Sequence, residues 1–218
     1  MSRMAGAAIP TTYHPPRTRS ALLPFALAAA VTVLIGVGVS MEPYFAGDVA
    51  VARAIQKGTP AAAKWAMPIG RLAPPPVRYY VMGLTALLAF ALAGWRGLAI
   101  AAAAMALDEF GAESTKALFA RPRPSRDLIS VIGTPTGFSF PSTTITFFCA
   151  TFGTLAVLAE RKAATTLNAV VLPVAAAVVV IACVARVAVG AHWPSDVALT
   201  AVICLTWLWA IARVTVPR

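Results

Sequence analysis

Residues 167–196 read LNAVVLPVAAAVVVIACVARVAVGAHWPSD, from Leu167 to Asp196. The part from Leu167 to Arg186 carries no charge until its last residue, and at 1.5 Å per residue it is long enough for a hydrocarbon layer of about 30 Å. The end of the stretch then sets Arg186, His192 and Asp196 close together, with His192 the one histidine outside the N-terminal tail. A membrane helix that delivers an arginine, an imidazole and a carboxylate to the interface is a candidate reactive centre. Asp196 follows His192 by one helical turn and is expected to hold the ring's second nitrogen and fix its tautomer. The alternative is an interfacial loop in which His192 and Trp193 only mark the membrane boundary.

Composition supports the membrane reading. The chain has 218 residues, 59% hydrophobic and 12% charged, with a mean hydropathy of +0.78. Ordinary soluble domains are about half apolar and about a quarter charged, so a water-soluble fold is excluded. The net charge of +10 does not point to nucleic acid, because the basic residues stand at the ends of apolar runs and not on a polar domain. Membrane phosphates are the expected acidic partner. Cys149, Cys183 and Cys204 fall inside apolar runs as packing residues, so neither a disulfide nor a metal site nor a cofactor is expected.

Outward from this stretch, the rest of the chain divides by apolar length. Residues 1–20, with Arg3, His14, Arg17 and Arg19, are expected as a loose tail, and residues 21–218 as one all-helical domain of six transmembrane helices. The expected spans are Leu22–Met41, Tyr79–Trp95, Gly97–Leu118, Ser142–Leu158, Leu167–Arg186 and Pro194–Ile211. The first follows a basic tail as a signal peptide would, but it has full-span length and no small-residue cleavage site, and is read as retained. Between spans one and two, two short interfacial helices are expected, the second capped by Thr59 with Pro60 at its first position; a solvated loop is the competing reading. Six spans place both termini on one side. Arg3, Arg17, Arg19, Arg96, Arg161, Lys162, Arg213 and Arg218 fall there, and the remaining ten of 18 basic residues fall on the other. The positive-inside rule therefore does not decide orientation, and cytoplasmic termini with the site on the outer face of a bacterial inner membrane are the working expectation.

Three segments separated by long spans end on the same face, and each brings a group suited to a phosphate. KALFARPRP (Lys116–Pro124) supplies Lys116 as a compact charge and Arg123 as a planar fork for two phosphate oxygens. FSFPSTT (Phe138–Thr144) opens a span with Ser142, Thr143 and Thr144, where unpaired amides attract anions. ARVAVGAHWPSD (Ala185–Asp196) adds Arg186, His192 and Asp196.

In order and spacing these motifs resemble the type 2 phosphatidic acid phosphatase family, membrane enzymes that dephosphorylate lipid phosphates and pyrophosphates within a six-helix bundle. The resemblance implies His192 as a nucleophile forming a phosphohistidine and Asp196 as its orienting partner. It also implies that Lys116, Arg123, Arg186 and Ser142 hold the phosphoryl oxygens without a metal. The second motif departs from the family: Thr143 and Thr144 stand where it has glycine and histidine, and Ala185 where it has serine.

The missing histidine is the family's proton donor to the leaving oxygen, a contribution of about 10²–10⁴ in rate. Three readings follow. The substrate is a prenyl pyrophosphate, whose phosphate leaving group departs without a donated proton; or Glu109, Glu113 or Asp127, raised in pKa by burial, supplies the proton; or the chain binds or carries a lipid phosphate without turnover. Glu113 has a competing role as the i,i+3 partner of Lys116. A lipid phosphotransferase would use the same intermediate, and a lipid phosphate or pyrophosphate is the partner in every case.

Overall fold

The computed structural model describes residues 18–161 and 166–216. Most of the expected tail, with His14, therefore lies outside the described residues, as does Lys162. The elements are α1 (Thr18–Met41), α2 (Asp48–Gly58), α3 (Ala62–Gly70), α4 (Val77–Phe119), α5 (Thr143–Phe148), a π-helical turn at Cys149–Gly153, α6 (Thr154–Arg161), α7 (Thr166–Ala188) and α8 (Pro194–Thr215). There is no strand among the described residues.

Five helical stretches are long and apolar enough to cross a membrane. In four of them only 22–28% of the most apolar window is buried, whereas Thr143–Arg161 is 72% buried. That stretch, formed by α5, the π turn and α6, is the central post of the bundle; α4, α7 and α8 pack around it, and α1 lies against α8 and α4. Their outward faces carry Leu27, Leu34, Leu84, Leu87, Phe110 and Val180 at 50% exposure or more. An apolar surface of that extent is stable only against lipid. The chain is an integral membrane protein.

The expected second and third spans are one continuous helical stretch, α4, broken at Ala93 (φ −140°) and Gly94 (φ 61°, ψ −151°). That Gly94 conformation is open only to glycine, and the chain reverses there. Arg78 near the start of α4 thus forms an ion pair with Asp108, thirty residues on, whereas a straight helix would separate them by about 45 Å. The break falls just before the expected boundary at Trp95, because the conformation of Gly94 sets the bend.

Two short helices do precede α4, but Thr59 has a different place from the one expected. Its hydroxyl donates to the Ile55 carbonyl at 2.7 Å and closes α2, while the residue before α3 is Ala61 in a left-handed conformation (φ 56°). At the far ends of the bundle, Arg161 donates from Nε (2.9 Å) and Nη2 (2.7 Å) to the Val216 carbonyl and closes α8. Cys149, Cys183 and Cys204 are free.

Candidate active site

Three local features bring the motifs together at one end of the bundle. Lys116 sits in the last turn of α4, buried on the same face as Ala112 and Asp108. Ser142 precedes α5. The loop from Val189 to Trp193 joins α7 to α8 through Gly190 (φ 69°), where a Cβ would lie 2.1 Å from the Ser130 carbonyl oxygen. Only glycine lets the histidine loop pack that closely on the loop between α4 and α5.

His192 is 2% exposed. Its Nδ1 lies 2.8 Å from the Ser139 carbonyl oxygen, which can only accept, so Nδ1 carries the proton and Nε2 is left with its lone pair. Nε2 faces Arg123 Nη1 and Ser142 Oγ, each at 3.3 Å. Burial pushes the imidazole pKa well below its usual 6.5, and the charges of Arg186, Arg123 and Lys116 push the same way, against the Ser139 hydrogen bond. A neutral, fixed imidazole with a bare nitrogen among three cations can attack an anionic centre.

The ring is therefore not held as the spacing suggested. Asp196 Oδ2 is 4.0 Å from Nδ1, and its oxygens are engaged elsewhere. Oδ1 takes Arg121 Nη1 at 2.5 Å; Oδ2 accepts from the Trp193 amide at 2.9 Å and from the Ser139 hydroxyl. The reason is helical geometry. With Trp193 extended and Pro194 opening α8, Asp196 is the third residue of the helix, and its carboxylate caps the Trp193 amide. Ser139 links the two groups, giving its hydroxyl to Asp196 and its carbonyl to His192.

The cations differ in how far the fold consumes them. Arg123 donates from Nε to the carbonyls of Thr136 (2.9 Å) and Gly137 (3.1 Å) and from Nη1 to that of Ala191 (2.6 Å), with no carboxylate partner among the described residues. Arg186 has a buried Nε without a hydrogen-bond partner among the described residues. Its Nη1 would lie 2.7 Å from a Cβ on Gly70, so α3 comes up against the guanidinium. Lys116 Nζ pairs with Glu113 at 2.9 Å.

The second motif differs from the expected anion cradle in one respect. The Ser142 amide donates to Thr200 Oγ1 at 3.1 Å and is not free for a ligand. The Ser142 hydroxyl makes no cap and faces His192 instead. Thr144 is 7% exposed in the first turn of α5, beside the half-buried Thr143. None of the carboxylates expected as substitute acids is packed inside the bundle. Glu113 and Asp127 are exposed, and Glu109 lies at the surface with Oε2 3.3 Å from Arg78 Nη1. Asp108, two turns from Lys116, is committed to Arg78 and the Thr146 hydroxyl.

Sequence reasoning missed Ser139, Arg121 and Asp48. Arg121 is fully buried, with Nη2 3.3 Å from Asp48 Oδ2 and its guanidinium 4.7 Å above the Phe45 ring. Asp48 also accepts from the Ser195 amide (2.9 Å) and hydroxyl (2.6 Å).

Comparison with known proteins agrees with this architecture. The solved crystal structure of a transmembrane PAP2-type phosphatidylglycerolphosphate phosphatase from Bacillus subtilis aligns with a TM-score of 0.63 at 16% identity, covering 85% of this chain and 94% of that one. At that identity the likeness is one of fold. No curated protein sequence matches. Residues 97–218 match the PAP2 superfamily model, a range that includes all three phosphate-suited motifs, and the chain belongs to the PAP2 superfamily.

Proposed function

We propose that the chain is a membrane lipid phosphatase working through a phosphohistidine on His192, with a prenyl pyrophosphate as its favoured substrate. The observation that carries this is the buried His192 ring, pinned at Nδ1 by the Ser139 carbonyl at 2.8 Å so that Nε2 lies 3.3 Å from both Arg123 and Ser142. Nε2 attacks phosphorus, and the bond to the leaving oxygen breaks with its electron pair on that oxygen. The Nδ1 proton stays on the ring against the Ser139 carbonyl, and Asp196, 4.0 Å away, faces the positive charge the ring acquires. Water then attacks phosphorus, the N–P pair returns to Nε2, and inorganic phosphate leaves. Arg123, Arg186, Lys116 and the Ser142 hydroxyl bind the equatorial oxygens, where phosphoryl transfer gains most from fixed charge.

Thr144 decides the substrate preference, since a threonine hydroxyl is too weak an acid to protonate a departing alkoxide, whereas a phosphate leaves unaided. The two arms of α4 count as separate crossings on this reading, giving six. The described ends of α1 and α8 then share the face away from His192, cytoplasmic in a bacterial inner membrane. Purified protein on a lipid panel tests the proposal. Prenyl pyrophosphate should release phosphate at least about tenfold faster than phosphatidic acid, given the value of a general acid. The reverse order overturns the preference, and stable lipid phosphate binding without release makes the chain a binder instead.

A further inference from the structure

We propose that Asp48 is a positioning residue of the catalytic centre, holding the nucleophile's loop in register through Arg121 and Ser195. The inference rests on reading His192 as the nucleophile. Asp48 opens α2, is 3% exposed, and precedes the residues that match the family model, 97–218. It is held in place by its own turn, where Oδ2 accepts the Phe45 amide at 2.8 Å.

From there a continuous chain of buried contacts runs to the ring. Asp48 takes the Ser195 amide at 2.9 Å and hydroxyl at 2.6 Å, so it fixes the first turn of α8 at the residue next to Asp196. It also takes one arm of Arg121 at 3.3 Å, while the other arm goes to Asp196 at 2.5 Å and Ser195 Oγ at 3.0 Å. Asp196 holds the Ser139 hydroxyl, and the Ser139 carbonyl sets the tautomer of His192. Two carboxylates thus share one guanidinium. Neutralising Asp48 leaves Asp196 as the one carboxylate on Arg121 among the described residues, so the guanidinium shifts toward Asp196, which holds Ser139. The rest of α2 anchors the neighbouring loop in the same way. Arg53 Nε donates to the Leu128 carbonyl at 2.9 Å; Gln56 takes the Ser130 amide at 3.2 Å and donates to its carbonyl at 2.7 Å.

A double-mutant cycle separates positioning from bulk stability. Asp48→Asn should lower kcat by about 10- to 100-fold, the scale of a misplacement near 1 Å, with KM within about twofold. Affinity for orthovanadate, an analogue of the phosphoryl transition state, should fall by a similar factor. In an Asp196→Asn background, adding Asp48→Asn should cost less than about twofold in either readout, because the route to the ring is already cut. Unchanged kcat and vanadate affinity in Asp48→Asn, or losses that multiply in the double variant, overturn the proposal. If Asp48→Asn fails to fold, Ser195→Ala removes one link without stranding a charge: kcat should drop about three- to tenfold at constant KM, and an unchanged kcat is the contrary result. Wild-type protein that releases no phosphate from any lipid defeats the proposed function, and the vanadate cycle then decides on Asp48 by itself.

Discussion

Arg121 and Arg123 stand two residues apart in one Arg-Pro-Arg-Pro run. Arg121 lies fully buried between the carboxylates of Asp48 and Asp196. Among the described residues Arg123 reaches only backbone carbonyls and the His192 ring, and Arg186, from the last turn of α7, adds a second guanidinium without a carboxylate partner there. On one side of His192 charge is neutralised within the protein and builds the fold; on the other it is left for a ligand to neutralise. The comparison teaches that a cation's partners, more than its nearness to the nucleophile, tell what it is for.

The sharpest break of that comparison is at the ring between the two sides. His192→Ala should lower phosphate release by at least about 10³-fold, as nucleophile losses do, with the folded fraction in detergent unchanged. Next, Arg121→Met and Arg123→Met should fail in opposite ways. The first strands two buried carboxylates, and denaturant titration should read a loss of about 3–5 kcal/mol. The second gives up hydrogen bonds to the Thr136, Gly137 and Ala191 carbonyls but strands no charge, so it should lose clearly less stability than the first while losing activity and vanadate affinity. Equal stability losses in the two variants would erase the distinction between the sides.

Much of this was legible before any coordinates. Unbroken apolar runs of about 20 residues announce membrane helices through composition alone, and Lys116, Arg123, Ser142, Arg186 and His192 stand in recognisable motifs. Long-range pairing was not legible: Asp48 and Arg121 are separated by 73 residues, and no local pattern marks a carboxylate in a mixed loop as the partner of a distant arginine. Asp196 was readable in two ways. Pro194 with an acid two residues later is a helix-start signature, and that cue assigns the carboxylate to the Trp193 amide; the Ser139 carbonyl, 53 residues from the ring it holds, has no such local mark. The boundary between the second and third spans is expected at Arg96, between Trp95 and Gly97, whereas glycine's access to an otherwise forbidden backbone conformation fixes the bend at Gly94.

Smaller effects sharpen the picture. The folded protein keeps His192 neutral below the usual 6.5, so between that folded value and 6.5 the unfolded chain binds the extra proton. Stability is then full above about pH 6.5 and declines as pH falls, by about 1.4 kcal/mol per pH unit at most until the folded pKa is reached. Melting curves of the wild type and His192→Gln should diverge there and run parallel above it. Activity should lack an acid limb at pH 6.5 arising from this ring. The smallest expected change is Gly70→Ala, whose new methyl group would press on Arg186 Nη1 from 2.7 Å. A few-fold rise in KM with little change in melting temperature is expected, and a wild-type KM would show that the guanidinium moves aside without cost.

The most direct measurement is rapid quench of the protein with a phosphorus-labelled prenyl pyrophosphate, followed by mapping of the acid-labile label under alkaline conditions. The account predicts phosphate on His192, bonded at Nε2, formed and lost at rates that support turnover and absent from His192→Ala. Turnover with no phosphorylated histidine, or label carried by any other residue, would contradict it.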